Sequence, residues 1–441
     1  MLGVAGCFPR MWGLRSRASE EGVPPKGSRG RRIGLTIRLA WSEEILVAIG
    51  KLLLQLWVFP REESDEKGGS FLEAMQTFRC TSCGQLLFFE SNSCIRCGHL
   101  LGFSVHDYEV VTLEQVDDTK LEAQVFRDLA QRSLGAGYRL CENTTKYNAC
   151  NWLVPADDDN DYCPSCRLTE LLPPLSDVQS RRQWVRVEAA KRRLLYSLVG
   201  LGLPLASRAE NPDSGLAFRF AKSTKQYPVV TGHARGVITL NMSEADAAFR
   251  ENAREKLGEG YRTVLGHLRH ECGHYFWDLL VLPSKQWLSQ VRELFGDDRL
   301  DYQESIARHY AEGPPGNWHH HYISAYASMH PWEDWAETWA HYLHMVDTLE
   351  TAESYEVAVR TPVAIGGPSR ARSHLRQHDD FEKLFNDWYS LTFVLNGLSR
   401  SMGMPDPYPF APSETVKKKL RLVHDFLQSV GGQQSAGWFV H

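Results

Sequence analysis

The chain has 441 residues, with 49 Lys and Arg against 54 Asp and Glu, for a formal net charge of −5. A hydrophobic fraction of 43%, 23% charged residues and 13 Trp exclude a mainly disordered, collagen-like or coiled-coil chain. The acidic balance also argues against a nucleic-acid partner held by a general basic surplus, and the length points to two structural units plus an extension.

Residues 1–74 differ from the rest. Residues 1–33 are rich in Arg, Gly and Pro, including Arg10, Arg15, Arg17, Arg29, Arg31 and Arg32, and show no period that could bury a face. The apolar run Ile45 to Phe59 contains Lys51 and is too short to cross a bilayer, so no membrane span is expected. An Arg-rich start leaves a transit peptide open. Met75 stands directly before Gln-Thr-Phe-Arg-Cys80, so a start at Met75 is a further expectation, with 1–74 a poorly structured extension or a start-site artefact.

Residues 75–170 form the expected zinc-ribbon region, with two groups of four cysteines. Cys80-Thr-Ser-Cys83-Gly84 and Cys94-Ile-Arg-Cys97-Gly98 are paired knuckles, each able to supply two thiolates to one tetrahedral zinc ion. The Gly after each pair allows a positive φ that turns backbone N–H groups toward sulfur. Leu86 to Phe89 between them is strand-like and Ser91-Asn92-Ser93 turn-like, as a ribbon hairpin needs. Cys141, Cys150, Cys163 and Cys166 are spaced less regularly, and only Cys163-Pro-Ser-Cys166 is a knuckle. A second four-thiolate zinc is favoured over disulfides in the expected reducing, cytoplasmic setting. The structural zinc count is therefore one or two, and the ribbons are candidate surfaces for a protein partner.

Residues 171–441 carry the chemistry. His270-Glu271-Cys272-Gly273-His274 lies in a stretch from about Glu255 to Val281 whose apolar residues recur near helical period. Four residues are slightly more than one turn, so both imidazoles can reach one zinc ion, with Glu271 placed to accept a proton from water. Downstream, Pro331 to His341 suggests a second helix on which Glu333 and Glu337 share a face, and Trp332, Trp335 and Trp339 are candidate core residues. A strand is expected at Gly236 to Asn241, followed by a helix start at Ser243-Glu244-Ala245-Asp246. Later helices are expected at Phe381 to Leu398 and Glu414 to Val430, with Lys417, Lys418 and Lys419 on a solvated face.

This pattern resembles the glutamate-zincin arrangement. The resemblance implies that Glu333 is the third metal ligand and that Glu337 orients His270 or His274 from outside. It implies a phenol at Tyr326 that donates to the oxyanion, with His330 as the alternative donor. It also implies an edge strand that receives extended substrate, here Val237, Thr239 and Asn241. Gly266-His267-Leu268-Arg269 continuing through Tyr275, with Phe295-Gly296-Asp297-Asp298, Tyr302 and the block Ser324 to His344, further resembles a largely bacterial family of zinc-binding metallopeptidases with an N-terminal zinc ribbon. That likeness runs from about Gln76 to Gly432 and implies an α+β, zincin-like body, mostly helical with a small sheet. The expected activity is zinc-dependent hydrolysis of a peptide or protein substrate with one catalytic zinc. The rival is a non-catalytic ribbon and zincin module that binds protein or nucleic acid.

Overall fold

A computed structural model describes residues 77–116, 124–130, 137–257, 261–359, 369–370 and 380–431. The chain divides into two units at Gly69, and the fold described is that of the second, Ser70–His441. The expectations for residues 1–74 and for a start at Met75 lie outside the described residues.

The front begins with a two-stranded ribbon, β1 (Phe78–Arg79) and β2 (Leu86–Leu87), paired antiparallel with Phe78 opposite Leu87. Gly84 and Gly98 adopt φ of 71° and 78°, a conformation costly for residues with a Cβ, and their N–H groups close the knuckles onto Cys80 and Cys94 carbonyls at 2.8 Å. An antiparallel five-stranded meander follows: β3 (Leu100–Ser104), β4 (Glu109–Gln115), β5 (Phe126–Asp128), β6 (Tyr138–Leu140) and, after α1 (Glu142–Tyr147), β7 (Leu153–Pro155). A bridge between Phe103 and Trp152 returns the last strand to the first.

The short helix α2 (Pro164–Arg167) and strand β8 (Thr169–Leu171) lead to α3 (Val178–Gly200), which starts at Asp177, whose carboxylate accepts from the N–H groups of Gln179 and Ser180. Helix α3 buries Trp184, Val187, Leu194 and Leu198. Strands β9 (Ala217–Ala221), β10 (Gly232–Ala234) and β11 (Val237–Asn241) join β8 in a mixed sheet ordered β10-β11-β9-β8. The strand expected at Val237 to Asn241 is therefore present but internal, pairing β10 on one side and β9 on the other. Its backbone edges are both used, so Val237, Thr239 and Asn241 cannot accept a further strand. The edges of the sheet belong to β10 and β8.

The expected continuous helix from Glu255 to Val281 is two helices. After the 3₁₀ turn Met242–Ala245, α4 (Ala247–Leu257) ends, and α5 (Val264–Phe276) restarts at Thr263, whose hydroxyl accepts from the Gly266 N–H at 2.9 Å. Helix α5 runs into a π turn, Trp277–Val281. Helices α6 (Lys285–Phe295), α7 (Tyr302–Glu312), α8 (Pro331–Ser354), α9 (Phe381–Ser401) and α10 (Glu414–Gly431) complete the body, with a two-stranded pair, β12 (Ala358–Val359) and β13 (Ser369–Arg370), between α8 and α9. The architecture is α+β.

One hydrophobic core runs from Phe78 and Phe103 in the front through Trp184 to Trp335, Trp339 and Phe426 in the body. Tyr108 stacks on Tyr196 at 4.5 Å and donates to the Tyr196 carbonyl at 2.7 Å, while Arg192 of α3 donates to the Ala149 carbonyl at 2.8 Å. The expected solvated face at Lys417 to Lys419 needs correction: Lys419 is buried and ion-paired with Asp334, which leaves the exposed role to Lys418.

Helices α5 and α8 cross where Gly273 faces Ala336. A Cβ at Gly273 would stand 3.0 Å from the Ala336 Cα and 3.1 Å from the Trp339 ring. Gly273→Val is expected to force the helices apart and cost about 1–3 kcal/mol, seen as a lower thermal midpoint. A midpoint equal to wild type would contradict this close approach.

Candidate metal centre

The turn spacing of α5 sets His270 and His274 on one face, and the first turn of α8 presents Glu333 to them. The His270 and His274 Nε2 atoms lie 3.1 Å apart, and Glu333 Oε2 lies 2.9 Å from the first and 3.4 Å from the second. Three ligand atoms each about 2.0–2.1 Å from a tetrahedral zinc ion would stand roughly 3.3 Å from one another, so the triad has the right dimensions. The site is enclosed: the Glu333 side chain is 2% exposed and that of His270 12%.

The proton arrangement suits a cation as well. His270 Nδ1 lies 2.7 Å from Glu337 Oε1, and Glu337 Oε2 accepts from the Ser324 hydroxyl at 2.6 Å. With Nδ1 donating to the carboxylate, the Nε2 lone pair points at the centre. Glu337 thus partners His270; His274 Nδ1 is buried with no hydrogen-bond partner among the described residues, and Trp332 covers the His274 ring at 3.6 Å. Burial alone would raise the Glu333 carboxyl, but the two imidazoles outweigh it and hold it well below the usual range. Burial would lower His270, yet Glu333 and Glu337 hold it well above its ordinary value. Glu337 is likewise pulled down to about 2 against burial, chiefly by His270. Electron pairs and negative charge converge at this point, and a divalent cation satisfies both.

Glu271 is buried beside the triad, and its carboxylate makes no hydrogen bond to another described residue. Burial pushes its carboxyl up, opposed by His270 and His274. Tyr326 opens a 3₁₀ turn, Tyr326–Met329, with its ring 6.0 Å from that of His270. His330 differs from its expected role as an oxyanion donor. Its Nδ1 accepts from the Trp332 N–H at 3.1 Å as the cap of α8, and its Nε2 donates to the Leu300 carbonyl at 3.0 Å. Both nitrogens are committed to backbone.

Two residues escaped the sequence reading of the site. Tyr302 donates to Glu333 Oε1 at 2.8 Å, and Ser324 braces Glu337. Tyr302 is 31 residues from its partner, and no local period could connect them. Trp335 and Trp339 are buried as expected, and their indoles donate to the Gly273 carbonyl at 3.0 Å and to Cys272 Sγ at 3.2 Å.

The cysteines of the front gather as two separate groups of four, and all nine described cysteines are free of disulfides. Cys80 and Cys97 sulfurs lie 3.5 Å apart, Cys83 and Cys94 3.6 Å, Cys150 and Cys163 3.6 Å, and Cys150 and Cys166 3.7 Å. Sulfurs about 2.3 Å from one tetrahedral zinc would be roughly 3.8 Å apart, near these values. Backbone N–H groups of Trp152 and Cys163 point at Cys150 and Cys141 sulfurs, both at 3.4 Å. Arg192 supplies a second sign: it is buried, which disfavours its charge, and the sulfur of Cys150, the Glu188 carboxylate and the sulfurs of Cys166 and Cys163 outweigh that burial. A zinc ion with four thiolates carries two net negative charges, which a buried guanidinium offsets; four neutral thiols would not.

A buried centre of two imidazoles and one carboxylate, behind two four-cysteine groups, defines a zinc-binding protein with the makings of a hydrolase. The chain belongs to the family described as "putative zinc-binding metallo-peptidase", whose model matches residues 180–426, and a zinc-ribbon domain model matches residues 77–177. It is similar to uncharacterized proteins of Mycobacterium bovis and Mycobacterium tuberculosis, at 40% identity over 356 residues, covering 81% of this chain and 96% of theirs. No solved structure matches it. None of the described helices is long and apolar enough to cross a membrane.

Replacing His270 and His274 together by Ala is expected to remove one zinc ion per chain and leave the cysteine-bound zinc in place. Cys150→Ser is expected to remove a different ion and to lower the thermal midpoint as well, because it takes a ligand from the buried four-cysteine group and weakens the charge balance around Arg192. Metal analysis of purified protein measures both; no loss of zinc in the double His variant would contradict the assignment.

Proposed function

We propose that the chain is a cytoplasmic zinc-dependent peptidase of the glutamate-zincin type, with one catalytic and two structural zinc ions. The observation that carries this reading is the convergence of His270, His274 and Glu333 on one buried point with Glu271 on the same helix turn. Bound there, zinc would acidify a water molecule and polarise the scissile carbonyl. Glu271, its carboxyl raised by burial, accepts the water proton and passes it to the leaving amine. Glu337 holds His270 in the tautomer whose Nε2 faces the centre, and Tyr326 is the donor toward developing negative charge on the carbonyl oxygen.

The substrate is a peptide or protein. An extended segment would pair with β10, the edge strand beside α5, whose His233 packs against Tyr275 with ring centroids 6.1 Å apart. Free cysteines throughout the described chain support a reducing compartment. Phe88 and Ile95, 71% and 89% exposed on the ribbon, support a protein partner there.

Cleavage of a peptide library by wild type and Glu271→Gln tests the function. The variant is expected to keep its zinc and to lose turnover by about 10²–10⁴-fold. Wild-type activity in Glu271→Gln would sink the mechanism, and no cleavage by wild type would favour a binding module.

A further inference from the structure

The two oxygens of Glu333 have different partners. Oε2 faces the imidazoles of His270 and His274, while Oε1 accepts from the Tyr302 phenol at 2.8 Å. A carboxylate on a single-bonded pivot can present either oxygen, or both, to a cation; a donor fixed on one of them removes that freedom.

Tyr302 is fixed by three features. It is the first residue of α7, whose start is set by Asp301 accepting from the Glu304 N–H at 2.8 Å. The preceding residue pair is fastened to α8 by His330, which bonds the Leu300 carbonyl through one nitrogen and the Trp332 N–H through the other. Its ring stands edge-on to His330 at 5.5 Å and to Trp332 at 5.8 Å, and Trp332 in turn lies on the His274 ring. The phenol is thus anchored to the same helix turn that carries Glu333.

We propose that Tyr302 is a positioning residue that selects Oε2 of Glu333 as the metal-facing oxygen by occupying Oε1, with His330 acting through it as a clasp. The inference rests on reading His270, His274 and Glu333 as zinc ligands. It also accounts for the placement of His330, whose nitrogens serve the geometry of Tyr302 and leave none for substrate.

The test uses the full chain and reads metal binding. Tyr302→Phe removes one oxygen and leaves the ring packing in place. Its zinc at the histidine and carboxylate centre is expected to bind about 10–100-fold more weakly in chelator competition. In protein loaded with Co²⁺, the visible band of that centre, told from the cysteine sites by its lack of sulfur charge-transfer absorption, is expected to change in intensity and position. Tyr310→Phe, which removes an exposed phenol from the same helix, is expected to match wild type in both. His330→Ala leaves the phenol and loosens its support, and should shift affinity in the same direction by a smaller factor. Unchanged affinity and an unchanged Co²⁺ band in Tyr302→Phe would overturn the proposal whatever the chain does to peptides. A wild-type chain with no zinc outside its cysteine sites would overturn both this proposal and the peptidase reading; absence of cleavage alone would bear only on the latter.

Discussion

The close crossing of α5 and α8 is the constraint on which the rest depends. Two ligands lie on one helix and the third on the other, so the centre exists only if the helices meet at backbone distance. Gly273 permits that approach, and the indoles of Trp335 and Trp339 fasten it by donating into the carbonyl of Gly273 and the sulfur of Cys272. These bonds are buried, where a lost partner leaves a stranded polar group. The register of α8 against α5 is thereby fixed, and Glu333 and Glu337 arrive together, one at each nitrogen of His270.

Around this crossing, charge is settled locally. Asp334, next to Glu333, is taken by Lys419 of α10, and Asp347 by Arg269 and by the Ser197 hydroxyl of α3. These two buried carboxylates are matched by basic side chains, whereas Glu333 and Glu337 are aimed at the histidines. The surplus negative charge of the site is therefore concentrated where a cation would sit. Helix α3 carries this order outward, since the same helix that supplies Ser197 to Asp347 supplies Arg192 to the second cysteine group. The front is a buttress for the helix that bears the histidines.

Motifs whose members sit within one or two turns were legible in the sequence. The knuckles, the His270 to His274 spacing and the shared face of Glu333 and Glu337 all follow from helical or turn geometry over short separations. The five-stranded meander was missed because its strands are short and β4, Glu-Val-Val-Thr-Leu-Glu-Gln, does not alternate. Strand Val237 to Asn241 was recognised, but edge or interior status is a property of the sheet, and nothing in five residues reveals a three-residue neighbour. His330 had the residue type of a catalytic donor; only the meeting of Leu300 and Trp332 at its ring turned it into a cap and clasp.

The sequence by itself determined which side chains can bind metal and which pairs share a helix face, because those relations are set by backbone period over a few residues. The tertiary structure alone decided which imidazole Glu337 serves, which oxygen of Glu333 faces the centre, and which strand is open. Those outcomes depend on the mutual placement of segments tens of residues apart, which the packing of a common core fixes and no local pattern encodes.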